Sequence, residues 1–532
     1  MQAYRAVRRR CATADTAEAG HAGHANCSKL SASDQTDLTS LCMEFDAPLL
    51  LTFVAYLLLI LFLGIKSYHQ THDLSDYILG GRKLGAAVTA LSVGASDMSG
   101  WLLLGLPGAI YLSGLSEVWI GIGLTIGAYL NWLFVAKRLR LYSQHAGNAL
   151  TLPDYFENRF RDTTRVLRSL SASVILLFFT FYTASGLVGG AILFENSFGL
   201  EYSIALLAGG LIIVSYTFIG GFLAVAWTDA IQAVLMLLAL IIAPVAVVTE
   251  SGGISNITGQ LEHISPDSMS LFADMGVLAF LSLVSWGLGY AGQPHILARF
   301  MAAENPEKLL PARRLAMAWM VIVLFGSVTT GLAGIAYFAE APLVNPEIVF
   351  IELSQSLFNP WVAGIITAAI LSAIMSTIDS QLLVSSSVIS EDIYRVFIRP
   401  DASERELLTV SRAAVIVIAI LALIIASDRE SRVLDLVSYA WAGFGAAFGP
   451  IIVFSLFWWA MTARAAIGGM LTGALTVVFW SNLEGGIFDL YEIVPGFLLA
   501  SLAILGISVF KPEQNEQVLA EFEAVEVLRR AD

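Results

Sequence analysis

The chain has 532 residues, of which 57% are hydrophobic and only 14% charged, where soluble chains carry about 25% charged residues. No water-soluble fold covers that much apolar surface, so lipid is the solvent for most of the chain, and an ordinary soluble enzyme or a disordered scaffold is excluded. A formal net charge of −14 argues against a nucleic-acid partner, and apolar runs of roughly 20 residues are too long for the alternating strands of a β-barrel.

Residues 1–42 form a polar, Ala/Gly-rich tail with no apolar core, so they do not read as a cleavable signal peptide. Translation starting at Met43, directly before the first apolar run, is one expectation; tail peptides in the native protein would refute it. The three cysteines, Cys11, Cys27 and Cys42, all lie in this tail, which excludes thiol chemistry inside the membrane. The HxxH pairs His21/His24 and His69/His72 read as solvated loop residues rather than metal ligands.

Mostly apolar windows of roughly 17–25 residues predict about thirteen membrane helices. They begin near Ala47, Ala86, Val118, Leu167, Ser203, Thr228, Met275, Leu315, Trp361, Thr409, Val433, Ala465 and Ile493. If the first helix enters from outside, most of the 29 Lys and Arg residues, among them Arg82, Lys83, Arg138, Arg161 and Arg299, fall on inner loops. That bias puts the N-terminus outside and the C-terminus in the cytoplasm. The acidic, amphipathic stretch 511–532 reads as a solvated cytoplasmic helix.

The second window contains GASDMSGWLLLGLPGAIY, from Gly94 to Tyr111. An ionised carboxylate at mid-membrane costs at least about 2.5–3.5 kcal/mol and usually marks an ion site or pathway. The glycines and Pro107 weaken the helix around Asp97, and an unwound turn frees carbonyl oxygens that lipid cannot satisfy. Asp97 therefore reads as part of a cation site, with the capping of a short half-helix as the plainer alternative. The seventh window repeats the anomaly in SWGLGYAGQPHILARF, Ser285 to Phe300, with three glycines, Gln293 and Pro294. Interrupted helices five apart, at equivalent places in two halves, point to an inverted-repeat secondary transporter. Helices two to six (residues 86–250) form one half and helices seven to eleven (275–460) the other. The first helix with its inner loop (43–85) and the last two helices (465–510) are peripheral.

The ninth window carries SAIMSTIDSQLLVSSSVIS, from Ser372 to Ser390. The Ser385–Ser387 hydroxyls read as bonded back to their own helix. Ser376 and Thr377 differ because a second carboxylate, Asp379, lies beside them. Neutral hydroxyls and carbonyls can surround a hard monovalent cation without many buried charges. Most of the 11 Trp and 16 Tyr belong to interface belts or packing; Trp101, Trp286 and Tyr290 stand out because they flank the breaks.

These stretches resemble the solute:sodium symporter family, and within it the bacterial sodium/proline branch. The resemblance runs through DYILGGRKLG (Asp76–Gly85), GASDMSGW, NALTLPDYFENRF (Asn148–Phe160), YTFIGGFLAVAWTD (Tyr216–Asp229), WGLGYAGQPHILARFMAA (Trp286–Ala303) and SYAWAGFGAAFGP (Ser438–Pro450). Only the tail before Met43 falls outside it. The resemblance implies an all-α polytopic protein of the bacterial plasma membrane, with a LeuT-like five-plus-five inverted repeat, discontinuous helices and sodium-coupled uptake of L-proline by alternating access. It implies that sodium is held by the carbonyls of Ala95, Met98 and Ala373 and the hydroxyls of Ser376 and Thr377, with Asp97 needed nearby. It places Ser99, Gly100, Trp101, Tyr182, Trp286, Tyr290, Gln293 and Ser380 in the solute region, and ties Arg82 and Asp229 to function. The Thr228–Asp229 pair also reads as a helix N-cap, and Asp379 departs from members with a small uncharged residue there. The same coupling to another small solute, or a sensor on the same fold, are the alternatives. No P-loop, nucleophile or metal constellation suggests an enzyme, and the oligomeric state is left open.

Overall fold

The computed structural model describes residues 47–68, 74–219, 221–273, 275–510 and 516–531. The tail, its three cysteines, the Met43 start and His69/His72 lie outside the described residues. In lipid every backbone polar group must be satisfied within the protein, which leaves helices as the means of crossing. Among the described residues the only β pairing is an isolated bridge between Leu84 and Ala303.

In chain order the principal helices are α1 (Ala47–Tyr68), α2 (Ala86–Asp97), α3 (Leu106–Ser113), α4 (Val118–Leu130), α5 (Ala136–His145), α6 (Leu152–Phe160), α7 (Val166–Phe198), α8 (Tyr202–Ile219) and α9 (Phe222–Glu250). The second half continues with α10 (Val277–Val284), α11 (Pro294–Ala302), α12 (Leu309–Tyr337), α13 (Pro360–Ser387), α14 (Glu404–Ala426), α15 (Val433–Phe457), α16 (Ala463–Trp480), α17 (Ile493–Phe510) and α18 (Glu516–Ala531). Several starts are written locally. Thr151, Asn359, Ser403 and Thr462 each accept a backbone N–H of the first turn they precede, and proline sits in the first turn of α6, α11 and α13, where its missing N–H costs nothing.

Ten helical stretches among the described residues are long and apolar enough to cross a membrane, and two further apolar helices, Tyr202–Ser215 and Val277–Gly292, are shorter. Burial sorts them. The apolar windows of Pro360–Ile398 and Val433–Phe457 are each 83% buried inside the protein, against 28% for Ala47–Lys66 and 33% for both Ala463–Trp480 and Ile493–Phe510. The first helix, α14 (also 33%) and the last two helices are thus the least buried, and α7 (78%), α13 and α15 the most. α13 packs on α1, α2, α7 and α9, whereas α15 packs on α7, α16, α17 and the turn between α10 and α11.

One end of the bundle is basic. There Arg82, held at a positive φ of 55°, donates to the Met301 carbonyl (2.5 Å), the Ala149 carbonyl (2.8 Å), the Asn148 side chain (3.1 Å) and the Ser143 hydroxyl (3.2 Å). Arg140 donates to the Ala303 carbonyl at 2.6 Å. These bonds fasten the chain before α2 and the end of α5 to the end of α11. At the same end α18 is docked rather than surrounded by solvent. Its Glu526 pairs with Arg138 and its Glu521 with Arg161, Val518 and Val525 are buried, and Phe522 lies against the Tyr142 ring. The apolar face seen in the sequence has a partner surface on α5 and α6.

Candidate ion and solute site

The first break follows α2. Asp97 closes that helix, Met98 turns out of it at φ −86° and ψ 52°, and helical winding resumes at Gly100 with a wide turn over Trp101–Gly105 before α3. α13 passes alongside. Ser376 donates to the carbonyls of Ala95 (2.8 Å) and Ala373 (3.1 Å). The Thr377 hydroxyl lies 3.0 Å from the Ser96 carbonyl and 3.4 Å from those of Ala95 and Ala373. Two hydroxyls and three carbonyls, none formally charged, thus converge between α2 and α13. Of the residues expected to hold an ion, Ala95, Ala373, Ser376 and Thr377 are brought together, and Ser96 joins them unforeseen. Met98 lies buried in the break itself, its N–H spent on the Gly94 carbonyl at 2.9 Å. The Asp97 carboxylate makes its bond elsewhere.

The second break lies between α10 and α11. Ser285–Gly292 is wound as a tight 3-10 turn, Gln293 is extended (φ −80°, ψ 109°), and Pro294 opens α11. Its carbonyls are taken by side chains. Trp441 Nε1 donates to Trp286 O at 2.8 Å, Asn131 Nδ2 to Tyr290 O at 3.1 Å, and Gln293 Nε2 to the carbonyls of both Gly289 and Trp441 at 3.2 Å. Glycine packing is close here: a Cβ on Gly127 would stand 2.2 Å from Gly287 O, and one on Gly287 would stand 2.3 Å from Gly123 O. Only glycine allows two backbones this near.

Asp97 joins the two breaks. Its Oδ2 accepts the Tyr290 hydroxyl at 2.6 Å, while Oδ1 is buried without a hydrogen-bond partner. Around it Trp101 Nε1 donates to the Asp97 carbonyl at 3.2 Å, and Trp101 and Trp286 face each other with ring centroids 6.4 Å apart, tilted by 38°. Tyr182 comes from α7 beside Ser99 and Asp97, with its hydroxyl outside hydrogen-bonding geometry. Ser99, Trp101, Tyr182, Trp286 and Tyr290 thus gather around Asp97, whereas Gly100 lies against Ile374 of α13. On the far side of Trp286, away from the basic end, a cavity of about 170 Å³ opens, bordered by Trp286, Tyr491, Glu117, Asp435 and Asp489.

Two residues assigned to the solute region sit otherwise. Gln293 is fully buried and its amide nitrogen bridges backbone carbonyls. The Ser380 hydroxyl donates to the Ser376 carbonyl at 2.7 Å and accepts Arg299 Nη2 at 2.5 Å, so it stands between the oxygen cluster and a second buried cluster. There Arg299 pairs with Asp229 at 2.7 Å, Ser92 donates to the same Asp229 oxygen at 2.6 Å, and Asp379 lies beside Ser380. Asp229 is not an N-cap, because it lies inside α9, which begins at Phe222. Arg299, counted among inner-loop cations, is 1% exposed. Two carboxylates within the spans were the signal that a buried cation had to exist.

The architecture is that of a multi-pass membrane transporter. It matches a solved structure described as the substrate-bound outward-open state of a Na+-coupled sialic acid symporter, with a TM-score of 0.75 at 18% sequence identity, covering 88% of this chain and 99% of that one. The fold is LeuT-like. The sodium:solute symporter family model matches residues 77–473. Among sequence relatives, the sodium/proline symporter of Haemophilus influenzae is 54% identical over 492 residues, 90% of this chain and 98% of that protein. The sodium/proline symporter of Escherichia coli is 53% identical over 473 residues, 88% and 94% of the two chains. The chain belongs to the sodium:solute symporter family.

Proposed function

We propose that the protein takes up L-proline together with sodium by alternating access. The observation that carries this reading is the meeting, across Asp97, of an uncharged oxygen cluster with an aromatic enclosure. Sodium is a hard cation that prefers oxygen, and the carbonyls of Ala95, Met98 and Ala373 with the hydroxyls of Ser376 and Thr377 are its ligands. Asp97 neutralises the ion's charge from close by and links it to Tyr290. Proline is a zwitterion with an apolar ring. Trp101, Tyr182, Trp286 and Tyr290 pack against that ring, and the break at Ser99–Gly100 offers polar backbone to its charged end. Gln293 and Ser380 support this site from outside it.

The chain crosses the bacterial plasma membrane thirteen times, with the N-terminus outside and the basic end cytoplasmic. Residues 86–250 and 275–460 form the two inverted halves. The bonds of Arg82 and Arg140 then close the cytoplasmic side, and the cavity beyond Trp286 is the way in from outside. Moving one net charge inward down about 100 mV releases about 2.3 kcal/mol, enough for roughly fifty-fold accumulation at 1.4 kcal/mol per decade. A sodium gradient adds to this.

Uptake of labelled proline into proteoliposomes, with sodium outside and an inward-negative potential, tests the proposal. Accumulation that disappears when potassium replaces sodium, and that other amino acids and sugars fail to compete away, is the expected result. Uptake indifferent to that replacement contradicts the coupling, and preferential uptake of a competitor contradicts the substrate.

A further inference from the structure

The turn Ser285–Gly292 carries two of the aromatic side chains of the solute enclosure, Trp286 and Tyr290. A 3-10 turn has poorer hydrogen-bond geometry than an α-helix and is rarely stable over eight residues by itself, so something outside the turn must fix it. Two side chains from neighbouring helices do so at the residues in question. Asn131, one residue past α4 and 3% exposed, donates to the carbonyl of Tyr290. Trp441, on α15 and 1% exposed, donates to the carbonyl of Trp286. The second tie is returned, because Gln293 donates to the carbonyl of Trp441. The Trp441 ring also meets the Tyr290 ring edge-on at 5.1 Å.

We propose that Asn131 and Trp441 are positioning residues for solute recognition: by holding the backbone of Tyr290 and Trp286 from two sides, they set the spacing of the aromatic enclosure and with it the ring size accepted. Neither need touch the solute, and neither lies in the oxygen cluster between α2 and α13. Their loss therefore acts first on solute recognition and reaches the ion only through the Tyr290–Asp97 hydrogen bond. This inference rests on the proposed proline uptake.

The test uses the full-length protein in proteoliposomes, with Asn131→Leu and Trp441→Phe. Asn131→Leu removes one donor at similar side-chain volume, and Trp441→Phe removes one donor while keeping a smaller aromatic ring toward Tyr290. The expected result is a rise in the proline KM of about threefold to tenfold, the equivalent of one hydrogen bond. Vmax per inserted protein stays within about twofold of the parent, and half-saturating sodium at saturating proline moves less than the proline KM, because the ion is reached only through the Tyr290–Asp97 bond. Competition by azetidine-2-carboxylate and pipecolate, the smaller- and larger-ring analogues, moves closer to that of proline. Asn131→Gln, which keeps the donor, restores part of the loss. A merely structural role lowers Vmax or the amount of inserted protein and leaves KM and the analogue ratio unchanged; that pattern overturns the proposal, as does an equal shift in sodium dependence. If only one variant reaches the membrane, its KM and analogue ratio decide. An absence of sodium-dependent proline uptake by the parent protein instead refutes the underlying reading, so the two failures are distinguishable.

Discussion

The two interrupted helices start from the same ingredients, glycines and a proline among apolar residues, and end as different structures. After α2 the winding stops for Met98 and Ser99, and the nearby carbonyls of Ala95 and Ser96 meet only hydroxyls from α13. Hydroxyls can turn, so those oxygens are available to a cation. Between α10 and α11 the carbonyls of Trp286, Gly289 and Tyr290 are held by indole and amide N–H groups, which can only donate. The surrounding packing differs in the same direction. A Cβ on Gly100 would meet the Ile374 side chain at 3.0 Å, whereas one on Gly127 would meet backbone at 2.2 Å. A side chain can give way and a backbone cannot. The first break is thus adjustable and suited to an ion, and the second is a fixed wall suited to shape.

Substitutions at the two breaks should separate accordingly. The largest effect is expected from Asp97→Ala, which removes the charge beside the oxygen cluster: half-saturating sodium rises on the order of a hundredfold, and more than the proline KM does. Trp286→Ala should do the reverse, and equal losses of both in labelled-uptake assays would erase the division between ion and solute elements. Next comes Gly127→Ala, which forces two backbones apart and should cost about 1–3 kcal/mol, seen as a lower Tm in detergent. Gly100→Ala should lower Tm by clearly less; a larger effect there would show the first break to be the rigid one. Thr377→Val removes one oxygen from the cluster and should raise half-saturating sodium by up to about tenfold with the proline KM little changed. The smallest effect belongs to Glu526→Gln at the α18–α5 contact. It lies away from both breaks and should cost under about 1 kcal/mol without altering either transport constant.

Much of this was legible because membrane helices punish exceptions. Glycine, proline and aspartate within an apolar run are expensive, which is why both breaks and Asp97 stand out from residue types alone. Ser376 and Thr377 were visible as hydroxyls beside a carboxylate, and the structure sets them against Ala95. Asn131 and Trp441 were not visible. A lone asparagine at a helix end and a tryptophan in an apolar helix look ordinary, and their partners are backbone atoms more than 150 residues away, at Tyr290 and Trp286. Arg299 was misplaced because counting loop cations weighs sign and not depth. Asp229 was misread because Thr-Asp is a local capping pattern, while its actual partners, Arg299 and Ser92, come from other helices. Ser380 was placed in the solute region by the family resemblance alone, and its hydroxyl meets Arg299 and the Ser376 carbonyl. α18 was expected in solvent because an amphipathic helix does not announce which surface takes its apolar side.

The most direct test of the difference between the breaks is hydrogen–deuterium exchange of the purified protein in sodium and in potassium, compared for peptides covering residues 94–101 and 285–293. Sodium should slow exchange over 94–101 and leave 285–293, already slow, unchanged. Equal protection of both segments, or none over 94–101, would contradict an ion-ordered first break beside a permanently fixed second one.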